Sequence, residues 1–185
     1  ALMPIPENEV RAMIEDASRR DYSVLVCGRD VVALHNHKPI FDEIFVQGLG
    51  VNNIDITRPV EPLLNQPVLQ LTPFFSEEYE KDIFPSMPHC VSARWHPSFT
   101  DITVQGADKG NALKQMTKHL SISLEECIAF GDGMNDVEML AEVGKGCMMG
   151  NADPRLIQRC PQLETIGCNT DEAVAVYLRA IFGID

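Results

Sequence analysis

The sequence predicts an α/β chain in two parts: a smaller α+β domain over residues 1–96, then part of a parallel, doubly wound domain over residues 97–185. Three observations carry this. Short apolar runs alternate with amphipathic helical segments along the whole chain. The early runs are joined by short turns, as antiparallel strands are, whereas the later ones are separated by helices, as in βαβ units. One later run, Ile128-Ala129-Phe130, ends in Gly131-Asp132-Gly133-Met134-Asn135-Asp136. That is an apolar strand stopping in an acidic, glycine-flanked turn, and ligand sites of parallel sheets lie at the carboxyl ends of their strands.

In chain order, Glu7 to Arg20 repeats Val10, Met13, Ile14 and Ala17 on one helical face. Residues 22–27 and 31–35 flank Gly28-Arg29-Asp30 and read as a hairpin. Residues 39–46 read as a helix, because proline is tolerated in a first helical turn. The Pro- and Asn-rich stretch 51–67 reads as loop, 68–71 as a strand, 76–82 as a short helix and 90–95 as a strand. These pieces are expected to form a small antiparallel sheet with helices on one face, and the texture changes near His96-Pro97.

Beyond that point a strand over 101–104 leads through Gly106-Ala107-Asp108-Lys109-Gly110 into a helix over 111–120 with Leu113, Met116 and Leu120 inward. Ser123 opens a Ser-x-x-Glu capping box closed by Glu126. After the strand ending at Phe130 come a helix over 135–143, the apolar run 146–149, a short helix over 154–159 and a strand over 163–166. The last helix spans 171–182, with Val174, Tyr177, Leu178 and Ile181 inward.

Composition narrows the function. With 185 residues, 45% hydrophobic and 23% charged, the chain has the make-up of an ordinary globular protein. Its net charge of −12 and isoelectric point near 4.7 argue against nucleic acid or anionic membranes as partners. An anionic substrate would need a metal or a placed lysine. The cysteines Cys27, Cys90, Cys127, Cys147, Cys160 and Cys168 form no Cys-x-x-Cys pair and several lie in apolar runs. They read as reduced small hydrophobes, which predicts a cytoplasmic protein. No apolar run approaches the roughly 18 residues of a spanning helix.

The chemistry is written in two places. Asp132, Asn135 and Asp136 put two carboxylates and a carboxamide at a strand end and helix start, a set of oxygen donors suited to a hard cation such as Mg²⁺. The plainer alternative is a turn with a capping asparagine. Lys109 follows a strand, opens a helix and lies between Asp108 and Gly110, where an ammonium could neutralise a phosphate oxygen. His35 and His37 share a strand face by period-two spacing, but no third metal ligand accompanies them, and Cys147-Met148-Met149 reads as core strand. Arg94, Trp95 and His96 lie close enough to the boundary to reach a substrate, although a packed tryptophan is the plainer reading.

The segment from about 99 to 178 resembles the C-terminal half of haloacid-dehalogenase-superfamily phosphatases of the Cof type. The resemblance is carried by Thr100-Asp101-Ile102, Asp108-Lys109-Gly110-Asn111-Ala112-Leu113, Gly131-Asp132-Gly133-Met134-Asn135-Asp136 with Glu138-Met139-Leu140, and Gly150-Asn151-Ala152. It implies a Rossmannoid core, with residues 1–96 as the α/β cap that selects the substrate. It also implies that Asp132 binds Mg²⁺, that Asn135 and Asp136 orient that carboxylate and contact phosphate or solvent, and that Lys109 is catalytic, pairing with the nucleophile and the transferring phosphoryl group. In such enzymes an aspartate attacks phosphorus and the acyl-phosphate is then hydrolysed.

The chain departs from the pattern in two respects. The family's first motif, Asp-x-Asp-Gly-Thr, is absent, as is the early Thr or Ser of the second. The expectation is therefore a Mg²⁺-dependent phosphomonoesterase of small phosphorylated metabolites that lacks the N-terminal part of its core and is inactive alone. Its 127–130 strand, left without a neighbour, would be covered by the missing segment or by a second copy in a homodimer. Two other classes stand beside it. One is a non-catalytic α/β binding module that keeps the phosphate-site geometry. The other is the phosphorylation domain of a cation pump, which the lack of spanning helices disfavours.

Overall fold

The structure is a computed structural model that describes residues 2–184, and it divides into two compact units, Ala1–Gln105 and Gly106–Asp185. In the first, α1 (Glu7–Arg20) buries Val10, Met13 and Ala17, as its periodicity predicts. Glu7 and Glu9 in its first turn and Arg19 and Arg20 in its last suit the helix dipole.

Five antiparallel strands follow: β1 (Val24–Gly28), β2 (Val32–His35), β3 (Val68–Pro73), β4 (Cys90–His96) and β5 (Phe99–Val104), in the order β2-β1-β3-β5-β4. The sheet has apolar layers on both faces, not helices on one. Val24 and Val26 join Val10, Met13 and Ala17 on the α1 side, whereas Leu25 and Leu34 pack with Phe41, Phe74 and Phe99 on the other. The unbroken apolar run of β1 is the mark of a strand buried on both sides. The second layer comes from Pro39–Phe41, a helical turn that widens into a π-helix over Asp42–Gly48. It brings the Phe41 and Phe45 rings within 5.3 Å of each other.

Three further expectations are corrected. Residues 97 and 98 are a tight turn rather than a linker, and β5 pairs with β4 from His96↔Phe99 to Cys90↔Val104 and with β3 at Leu71↔Ile102. The units accordingly part after Gln105, not at 96/97. His35 and His37 do not share a strand face, because Asn36 takes a positive φ of 52° and ends β2. His35 bonds Ser18 Oγ at 2.9 Å and His37 bonds Asp42 Oδ2 at 2.8 Å. Arg94 is also spoken for. It pairs with Glu80 at 2.7 Å and donates to the carbonyl oxygens of Phe75 and Phe99, which makes it a staple within the unit.

The second unit holds three parallel strands, β6 (Ile128–Gly131), β7 (Lys145–Met148) and β8 (Glu164–Thr165), in that order. Around them lie α2 (Lys109–Leu120), α3 (Val137–Glu142), α4 (Pro154–Arg159) and α5 (Ala173–Phe182). Ala129, Leu140, Met148, Leu156 and Cys160 form its core, and Cys147 and Met149 are buried as a core strand should be. Glu126 accepts from the Ser123 N–H at 2.8 Å, the Glu half of the expected capping box. The inward faces predicted for two helices are covered only in part: Leu113 of α2 and Val174, Tyr177 and Leu178 of α5 are half-buried, with the Tyr177 ring 5.7 Å from that of Phe130. Met116 and Leu120 of α2 are each 56% exposed and Ile181 of α5 is 47% exposed. Periodicity identifies which residues share a face; it does not say what lies against that face.

Candidate active site

The site is built where β6 stops. Gly131 is buried, and a side-chain carbon there would lie 2.6 Å from Asp136 Cβ. Only a glycine lets the chain turn so that Asp136 folds back against the strand end. The Asp136 N–H donates to the Gly133 carbonyl at 3.0 Å, and its Oδ2 accepts from the backbone N–H groups of Asp132 (3.0 Å) and Gly133 (3.1 Å). Its Oδ1 accepts from Lys109 Nζ. Replacing Gly131 by alanine is expected to destabilise the second unit by about 1–3 kcal/mol, because the methyl group has nowhere to go; urea unfolding measures it.

Asp136 is 3% exposed. Burial pushes its pKa up, but the Lys109 ammonium and the two backbone N–H groups together outweigh that and hold it below the ordinary 3.8. A carboxyl depressed in the folded state contributes stability that is complete above 3.8 and disappears as the pH falls through the folded-state value. Asp136→Asn is thus expected to be less stable than the parent at neutral pH, with the gap closing in acid. Melting temperatures of the two proteins across that range check it.

Lys109 occupies the first turn of α2. Asp108 caps the helix, its Oδ1 accepting from the Asn111 N–H at 2.8 Å, and Asn111 Nδ2 returns bonds to Asp108 Oδ2 (2.8 Å) and the Gly106 carbonyl (3.1 Å). That clamp fixes the root of the lysine, whose side chain remains half exposed on its way to Asp136.

Asp132 differs from Asp136 in every respect that matters for a ligand. Its backbone carbonyl is anchored by the Asp153 N–H at 2.8 Å, so the turn is fixed, yet its side chain is exposed. One long contact reaches the carboxylate, from Asn151 Nδ2 to Oδ2 at 3.4 Å. Asn151 is itself positioned by the Asn169 N–H, which donates to its Oδ1 at 2.9 Å. Asn135 is exposed in the same turn.

Of the four residues singled out in the sequence, the structure therefore joins Lys109 to Asp136 and leaves Asp132 and Asn135 facing outward. The free oxygens of Asp132 fit one position in the shell of a hard cation; Asp136, with both oxygens engaged inward, does not. Among the described residues no three His, Cys, Asp or Glu side chains cluster as a metal site. Two contributors escaped sequence reasoning as site residues: Gly131, and Asn151, whose signal was its place just after the apolar run of β7.

Comparisons with known proteins bear on this geometry. A family profile described as haloacid dehalogenase-like hydrolase matches residues 2–178. The chain belongs to the haloacid dehalogenase-like hydrolases. A Haemophilus influenzae relative is 53% identical over 85 residues, which is 46% of this chain and 31% of that protein. An HMP-PP phosphatase of Yersinia enterocolitica is 51% identical over 75 residues, 40% of this chain and 28% of the enzyme. The alignments thus span about a third of the length of these curated relatives. Among solved structures, a subclass IIB sugar phosphatase of the superfamily matches with a TM-score of 0.83 and 30% identity over 99% of this chain and 69% of its own. The fold is the mixed α/β fold of the superfamily, a Rossmannoid core with a cap. No helix among the described residues is long and apolar enough to cross a membrane.

Proposed function

We propose that the second unit supplies half of a phosphomonoesterase site, with the first unit acting as its cap, and that the intact enzyme hydrolyses a small phosphorylated metabolite in a reducing, cytoplasmic setting. The observation that carries this reading is the split between two carboxylates four residues apart. Asp136 is buried and tied to Lys109, while Asp132 stands free at the carboxyl end of a parallel strand.

Asp132 would hold Mg²⁺, with the carboxamides of Asn135 and Asn151 beside it. Mg²⁺ bound there would neutralise charge on the phosphoryl oxygens. Asp136 positions the Lys109 ammonium and, through two backbone N–H groups, the turn that carries Asp132. Lys109 presents its remaining N–H donors to the phosphate. The nucleophilic aspartate, by resemblance to the family, belongs to an Asp-x-Asp-Gly-Thr strand that is not among these residues. The names of the relatives, HMP-PP phosphatase and sugar phosphatase, support a small phosphorylated metabolite as the substrate class.

The test uses the chain extended upstream by a family segment bearing Asp-x-Asp-Gly-Thr, assayed for phosphate release from sugar phosphates, nucleotides and phosphorylated cofactors. Turnover that requires Mg²⁺ and stops with a chelator is expected. An extended, folded protein that releases no phosphate from any of them would contradict the reading.

A further inference from the structure

The sheet face of the first unit that packs on Phe41 and Phe74 is covered only in part. Toward the β4 edge, Val91, Ala93 and Trp95 are all exposed. Trp95 is 54% exposed although its ring meets Phe99 edge to face, with centroids 4.6 Å apart. Its indole N–H donates to Asp101 Oδ2 at 3.0 Å. The other oxygen of Asp101 accepts from Gln70 Nε2 at 2.9 Å and from Thr72 Oγ1 at 2.7 Å.

A carboxylate offers about four lone-pair positions. Here three are filled, all by neutral donors. The fourth lies on Oδ2, the oxygen next to the indole. Among the described residues no lysine, arginine or histidine pairs with Asp101. The face therefore joins an uncompensated negative charge, held rigid from three sides, to an aromatic ring more than half in water.

We propose that Trp95 and Asp101 form a site for the protonated amino group of a small ligand. The indole face attracts the cation through its ring electrons, and Asp101 Oδ2 accepts a charge-assisted hydrogen bond from it. Gln70 and Thr72 act as positioning residues that hold the carboxylate in place. The site rests on the first unit alone and stands or falls independently of the phosphatase reading.

Trp95 is the sole tryptophan of the chain, so its fluorescence reports on the site directly. The probes are glucosamine and glucose, which differ in one amino group. Glucosamine is expected to change the Trp95 emission saturably and glucose to leave it unchanged. Asp101→Asn should weaken glucosamine binding about tenfold, the loss of one charge-assisted bond, with its circular dichroism unaltered. Should that variant fail to fold, the wild-type chain still decides the matter, because binding must disappear once the pH exceeds the ionisation of the probe's amine. An equal response to both sugars, no saturable response to glucosamine, or undiminished binding to neutral amine would overturn the proposal.

Discussion

In the extended protein, Asp132→Asn is expected to raise the Mg²⁺ concentration needed for half-maximal turnover about a hundredfold or more while leaving stability nearly unchanged. The two halves of this expectation have separate causes. Losing a partner of a metal ligand already costs about 10–100-fold in affinity or activity, so loss of the ligand's own charge costs at least the upper figure. Stability is spared because the Asp132 carboxylate is exposed and makes one contact, at 3.4 Å, whereas its backbone bond to Asp153 survives the substitution. A Mg²⁺ titration of turnover and a urea melt, done on the same preparation, separate the effects. A strongly destabilised variant would show that Asp132 is a structural turn residue.

Lys109→Met carries the second large effect, and it acts in both currencies. If the ammonium stabilises the charge of the transferring phosphoryl group, removing it lowers kcat about 10²–10³-fold, the cost of deleting one placed donor. It also leaves Asp136 buried with two backbone N–H groups and no cation. Removing a partner from a fully buried pair costs about 3–5 kcal/mol, but Lys109 is half exposed and water screens it, so about 1–2 kcal/mol is expected here. Lys109→Arg should recover most of the stability and little of the rate, since a planar guanidinium cannot replace a compact ammonium in that space. Steady-state kinetics and melts of the three proteins check this. A Lys109→Met enzyme with unchanged kcat would confine the lysine to holding Asp136.

Much of this was legible in the sequence, and what was not has physical reasons. The 3.6-residue period of α1 gave its buried face correctly, because a helix against a sheet core has to place its apolar stripe inward. The same logic held only in part on α2 and α5, where Leu113, Val174, Tyr177 and Leu178 are half-buried while Met116, Leu120 and Ile181 of the same faces stay exposed. The run Val24-Leu25-Val26-Cys27 could have announced a sheet buried on both faces, since it shows no alternation. The hairpin at Pro97-Ser98 passed for a boundary because proline marks turns and linkers alike.

At the site, the motif identified the residues but not their division of labour. Asp132 and Asp136 are equivalent as letters. Only the backbone path through Gly131 shows that Asp136 is drawn inward to Lys109 while Asp132 is left to the outside. Asn151 comes from the next strand's end, and its approach to Asp132 depends on the parallel register Gly131↔Met148, which no local pattern encodes.

On the proposed reading, this chain supplies the lysine and one cation-binding carboxylate of a phosphoryl-transfer site, and the nucleophile lies outside it. Rapid mixing with a ³²P-labelled phosphomonoester, followed by an acid quench, tests this most directly. Label should bind covalently to the extended protein, be released by hydroxylamine as from an acyl-phosphate, and be absent from the 185-residue chain. Stoichiometric, hydroxylamine-sensitive label on the 185-residue chain alone would contradict it.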